Sequence, residues 1–208
     1  MIAVSEFFPR LIPYVIGCSE PMAAQALVDS AIAFCNDSLA ARTLLDAQQT
    51  SKNNPEFDIS VPTGMAVSRV LRVWIGGREI QGVAVDWVND ASSTTGQPNN
   101  FYTRQIESEL VALLSPTPDA IYDVRAEVAT RPTRAAKSFE NELFDLWMEP
   151  IIEGAKARLM AIPDQPFTNP GMAGIAAATA MYLSRKARIE ASYGRVRATN
   201  RVQMRPLA

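Results

Sequence analysis

Asp86, Asp90, Asp119 and Asp123 fall beside turn residues in a β-rich stretch, a setting from which carboxylates can hold a hard cation. Their spacing matches no calcium loop, and solvated turn acids are the competing reading. With 22 Asp and Glu side chains, a pair of carboxylates could share acid–base work, but nothing sets any two apart. Histidine is absent, which removes the commonest general base and the commonest metal ligand, and with them any Ser-His-Asp triad. There is no G-x-x-x-x-G-K-[ST] loop, no G-x-G-x-x-G turn and no G-x-S-x-G elbow. Cys18 and Cys35 lack C-x-x-C spacing and read as two reduced thiols. The sequence therefore predicts no catalytic residue, no metal and no cofactor. A hydrolase without histidine has no motif behind it.

Charge is the stronger signal. The net value is −2, but from Arg185 onward seven basic residues face Glu190 alone, leaving +6. The 13 basic and 21 acidic residues before Arg185 leave −8. Arg185, Arg188, Arg195, Arg197, Arg201 and Arg205 are the candidate partner-binding residues. Three readings of this basic end stand together. It is a solvated helix face and loose end, a contact for nucleic-acid phosphates, or a dock on an acidic protein surface, where guanidinium binds carboxylate with two hydrogen bonds.

The elements that would carry these residues follow from periodicity. Leu11 to Ile16 reads as extended, ended by Gly17. Ser19 as N-cap and Pro21 in the first turn start a helix over about 20–39, with Leu27, Ala31, Phe34 and Cys35 on one face. Residues 41–50 fit either a helix extension or a strand. From 55 to 130, alternating apolar residues and turn signals predict a β-meander of five or six strands with antiparallel connections. Its clearest turns are the Gly76-Gly77 hairpin and Pro116-Thr117-Pro118. Residues 89–100 are polar and loop-like, and the last strand carries Ile121, Val124, Ala126 and Val128.

An amphipathic helix follows over Phe139–Pro163, with Leu143, Trp147, Ile151, Ala155, Leu159 and Ile162 on its inner face. Glu142, Asp145, Glu149, Glu153 and Lys156 fall mostly outside. Pro150 predicts a bend and Gly154 a close backbone approach, so Trp147, Pro150, Gly154, Ala155 and Leu159 are the candidate packing residues. A proline-rich elbow then leads, through Asn169 and Pro170, into a helix to about 198. Along that helix Met172, Ile175, Thr179, Tyr182, Lys186, Ile189, Tyr193 and Val196 keep a strict 3-4 spacing. Its first half is thin with Gly and Ala, which suits close packing inside its own bundle or between subunits. No run of about 18 apolar residues is present to span a membrane. Residues 199–208 have no periodicity and read as a flexible arm.

The order of these parts, and above all EPIIEGAKARL from Glu149 to Leu159 with Pro163, Pro166 and Pro170 after it, resembles the head-to-tail adaptor (connector) proteins of tailed bacteriophages. The resemblance covers about residues 11–195. It implies an α+β fold in which a helical bundle from both chain ends, residues 1–40 and 131–198, carries an inserted antiparallel β domain at 41–130, with 199–208 as the C-terminal arm. It also makes 41–50 the first strand of the insertion. The function it implies is structural: a homo-oligomeric ring, commonly of twelve copies, that binds the portal protein through its C-terminal segment. A tail, nozzle or tail-tube protein attaches below, and genomic DNA passes through the channel without specific binding. The implied location is the neck of a virion assembled in a bacterial cytoplasm.

The −8 body suits a channel lining that repels DNA so that it slides. A basic arm that orders only on the portal would lose its freedom at assembly, and ring multiplicity would raise avidity. The leader FFPRLIPYV is longer and more aromatic than the family pattern and is expected to meet a neighbouring protein. A tail-completion protein and a DNA-binding packaging factor are the alternative functions.

Overall fold

A computed structural model describes residues 1–84, 94–106 and 109–193, and its architecture is mixed α+β. The chain begins with β1 (Ile2–Ala3), a 3-10 turn at Val4–Phe7, α1 (Phe8–Leu11) and a second 3-10 turn at Ile12–Tyr14. The expected extended segment is thus helical. Val4, Phe7, Leu11 and Val15 are spaced 3-4-4 and all are buried. Pro9 and Pro13 each sit in a first turn, where a missing N–H is no loss. Part of the leader's aromatic content is buried within the chain: Phe7 meets the rings of Phe139 and Phe144 edge-on, each with centroids 5.3 Å apart.

Helix α2 (Glu20–Ser38) starts at Ser19 as expected, although the Ser19 side chain makes no capping bond. It ends through Leu39 in the left-handed region (φ 52°), whose N–H donates to the Cys35 carbonyl at 3.0 Å. Residues 41–50 then supply two short strands and no helix extension, β2 (Arg42–Leu44) and β3 (Gln48–Gln49). β4 (Glu56–Phe57) is followed by the long β5 (Met65–Ile75), which turns through Gly76 and Gly77 into β6 (Arg78–Gly82). Both glycines have positive φ, as a two-residue hairpin of this hand requires.

β7 (Thr95–Gly96), β8 (Asn100–Ile106), β9 (Glu109–Ser115), β10 (Thr117–Pro118), β11 (Asp123–Pro132) and β12 (Ser138–Phe139) complete the strands. They do not form a meander. Among the described residues the main sheet runs β2-β11-β5-β6-β8-β9-β4, with β3 also on β11. β6 and β8 pair in parallel, and β11 returns to sit between β2 and β5. Alternation in the sequence records which side of a strand is buried, not which strand lies beside it. Pro116-Thr117-Pro118, expected as a turn, supplies β10, which pairs with β7. Ile121 is 65% exposed and precedes β11, whereas Val124, Ala126 and Val128 are fully buried. Residues 85–93 and 107–108, including Asp86, Asp90 and the first part of the expected polar loop, lie outside the described residues, and the rest of that loop contains β7 and leads into β8.

Helix α3 (Asn141–Met160) contains both awkward residues. The helix departs from helical geometry at Trp147 (φ −127°, ψ 20°), three residues before Pro150. Pro150 has no N–H for the Leu146 carbonyl and its ring crowds that carbonyl, so the distortion falls in the preceding turn. In the elbow, the Thr168 hydroxyl donates to the Ile162 carbonyl at 2.6 Å. Asn169 caps α4 (Pro170–Tyr193) by accepting the Met172 N–H at 3.1 Å.

Two apolar clusters result. One joins the leader, α2, α3 and α4, and includes Phe7, Leu11, Leu27, Phe34, Phe139, Ile151 and Leu159. The other lies on the sheet around Val73, Ile75, Leu114, Val124 and Val128.

Candidate interaction surfaces

At the crossing of α2 and α3, the Ser30 hydroxyl is buried and donates to the Ile151 carbonyl at 2.6 Å. A Cβ placed on Gly154 would collide with that hydroxyl and stand 3.3 Å from Ser30 Cβ. Ala180 Cβ of α4 would lie 3.9 Å from it on the other side. Gly154 thus sits where three helices come together. Ala155 and Leu159 are buried beside it, and the Trp147 ring lies 5.6 Å from the Phe34 ring.

Lys156 departs from its expected outward position and is 8% exposed. Its ammonium donates to Glu153 Oε1 at 2.7 Å and stands 3.4 Å from the centre of the Tyr14 ring. A cation–π contact with a carboxylate beside it ties the leader to α3. Sequence reasoning missed this group because Lys156 falls in the charged half of the helical pattern. Cys35 is buried on α2 and burial pushes its thiol up to about 12, so it is a packing residue with little thiolate character.

Helix α4 divides its residues unexpectedly. The small side chains Ala173, Ala176, Ser184 and Ala187 are buried against the other helices. The 3-4 row faces solvent: Met172 is 45% exposed, Ile175 62%, Tyr182 68%, Ile189 60% and Tyr193 65%. The seam read as one feature is therefore two, a thin inner face and a bulky apolar outer face about 30 Å long. Arg185, Lys186 and Arg188 are exposed on the same helix and form no ion pair among the described residues. Arg195, Arg197, Arg201 and Arg205 lie outside the described residues, as does Val196.

The first half of α3 has the opposite character. Glu142, Asp145, Leu146 and Glu149 are exposed along one face, and none of the acids is paired among the described residues. Just before the helix, burial and then the Glu142 charge raise the pKa of Glu140, and the Met1 amino group partly offsets them.

Elsewhere, an open cleft of about 940 Å³ between α2 and the sheet is lined by Asn36, Asp58, Ser68, Arg131 and Arg134, among others. In it the Ser68 hydroxyl donates to Asn36 Oδ1 at 2.7 Å. Among the described residues no three metal-ligating side chains cluster, and Asp119 accepts a hydrogen bond from the Tyr122 hydroxyl at 2.6 Å. No described helix is long and apolar enough to cross a membrane.

Residues 13–207 match the sequence profile of the SU10 adaptor protein family. The chain belongs to that family. Membership makes it an adaptor-type protein of a bacteriophage, a structural component that contacts other head or tail proteins. The family match takes in the sheet cluster, α2, α3 and the whole of α4, so the exposed faces of α3 and α4 lie within the matched region. No curated protein sequence matches the chain.

Proposed function

We propose that this SU10 adaptor protein is a non-enzymatic head-to-tail adaptor of the virion neck. It binds the portal as a homo-oligomeric ring, of twelve copies on a twelve-fold portal, joins capsid to tail and lines part of the DNA channel. Its helical domain is drawn from residues 1–40 and 131–198, with 41–130 as an inserted β domain. The observation that carries the reading is the outer face of α4. An adaptor-family chain that exposes six large apolar side chains along one helix, five of them in the 3-4 row, has a surface suited to assembly. A core shared by the leader, α2, α3 and α4 supports the two-ended helical domain.

Portal attachment falls to the basic end, Arg195, Arg197, Arg201 and Arg205 with Arg188 leading into them, through carboxylates on the portal. Helix α4 fixes where this idea is tested. Ala187 is fully buried, so a cut at 185 would remove core as well as charge. Ending the chain after Tyr193 removes the arm and keeps the helix. The shortened protein is expected to melt with the parent and to lose portal in a pull-down. Undiminished capture of portal would contradict the arm's role. A tail-completion protein would instead form a six-fold ring on the tail tube.

A further inference from the structure

Among the described residues, two exposed helix faces are opposite in character. One is the outer face of α4, where Met172, Ile175, Tyr182, Ile189 and Tyr193 are flanked by Arg185 and Lys186. The other is the N-terminal half of α3, where Glu142, Asp145 and Glu149 surround the exposed Leu146. The α4 row keeps the 3-4 spacing of a seam that receives another helix, rather than the wider stripe of a helix lying on a sheet. Its inner face is already filled, so the seam is open to a helix from outside the chain. The occupant best matched in charge is an acidic helix with an apolar residue among its carboxylates, and α3 is such a helix.

We infer that the outer face of α4 in one copy seats the acidic N-terminal half of α3 in the next. This rests on the ring reading above and names the contact that builds it. The two patches differ, so the contact is head-to-tail, and such a contact propagates into a ring when its rotation closes. The acids set orientation and exclude a reversed docking, because α4 against α4 in parallel would bring Lys186 against Lys186. Glu140 gains as well, since a neighbour's cations would relieve the repulsion it feels from Glu142. Arg188 lies a third of a turn away from the seam and is left for the portal.

The test uses the full chain and two charge-reversed variants. The first carries Arg185→Glu and Lys186→Glu, the second Glu142→Arg, Asp145→Arg and Glu149→Arg. All changed positions are exposed, so melting curves should match the parent and show that each variant folds. By sedimentation velocity the parent is expected to assemble, each variant alone to remain monomeric, and an equimolar mixture of the two to assemble again. Restoration follows because each junction in an alternating assembly then joins opposite charges. If the parent assembles and each variant does too, the pairing of α3 with α4 is overturned while the ring stands. Variants that stay monomeric when mixed also overturn it, as does an α4 variant that assembles normally but loses portal. A parent that remains monomeric at every concentration overturns the contact, and the symmetry of the neck then decides the ring separately.

Discussion

Gly154 and Ser30 show how closely single residues hold this fold. The Ser30 hydroxyl cannot turn away from an added Cβ without giving up its 2.6 Å bond to the Ile151 carbonyl, inside a buried contact. Alanine at position 154 would gain about 1 kcal/mol of helix propensity. Overpacking costs about 1–3 kcal/mol, so the collision outweighs it. So direct a collision implies the upper end of that cost, a net loss of about 2 kcal/mol. Gly154→Ala is therefore expected to lower Tm by roughly 4–8 °C, since about 1 kcal/mol moves Tm by 2–4 °C at this size. Adding Ser30→Ala should recover part of that loss, because the two residues are in contact and their effects do not add. A thermal melt showing no change for Gly154→Ala would mean that the helices do not approach here. Pro150 and Gly154 were legible as awkward residues from their types alone. Ser30, the partner that explains Gly154, was not, because a serine on an apolar helix face carries no mark of what it crosses.

Among the elements, α4 carries its information on two faces. Serine at Ile175 and Tyr182 removes exposed apolar surface, so the free chain should stay within about 0.5 kcal/mol of the parent. Leucine at Ala187 must enter a filled interface and should cost about 1–3 kcal/mol. Denaturant unfolding checks both, and equal losses from the two changes would contradict the assignment of faces. The 3-4 row was visible in the sequence, and so were the small residues beside it. Periodicity finds a face but does not say what covers it. The same limit explains the sheet. Val124, Ala126 and Val128 marked a buried strand, yet nothing local to them signalled that β11 would return between β2 and β5. In the leader the failure was different. Leu11 to Ile16 reads as extended, although proline is at home in the first turn of a short helix, and the row Val4, Phe7, Leu11, Val15 was there to be read.

As a whole, the molecule is organised for contact. Among the described residues its histidine-free sequence gathers no metal-ligating cluster, while its two most distinctive exposed features are the apolar row of α4 and the acids of α3. In the proposed ring, α4 of this SU10 adaptor meets the neighbouring copy and its basic end meets the portal. Cryo-electron microscopy of the virion neck tests this most directly. The account predicts a closed ring of this chain directly against the portal, with the outer face of each α4 covered by the next copy and the segment after Tyr193 on the portal. Density placing the chain on the tail tube away from the portal, or at the portal with α4 open to solvent, would contradict it.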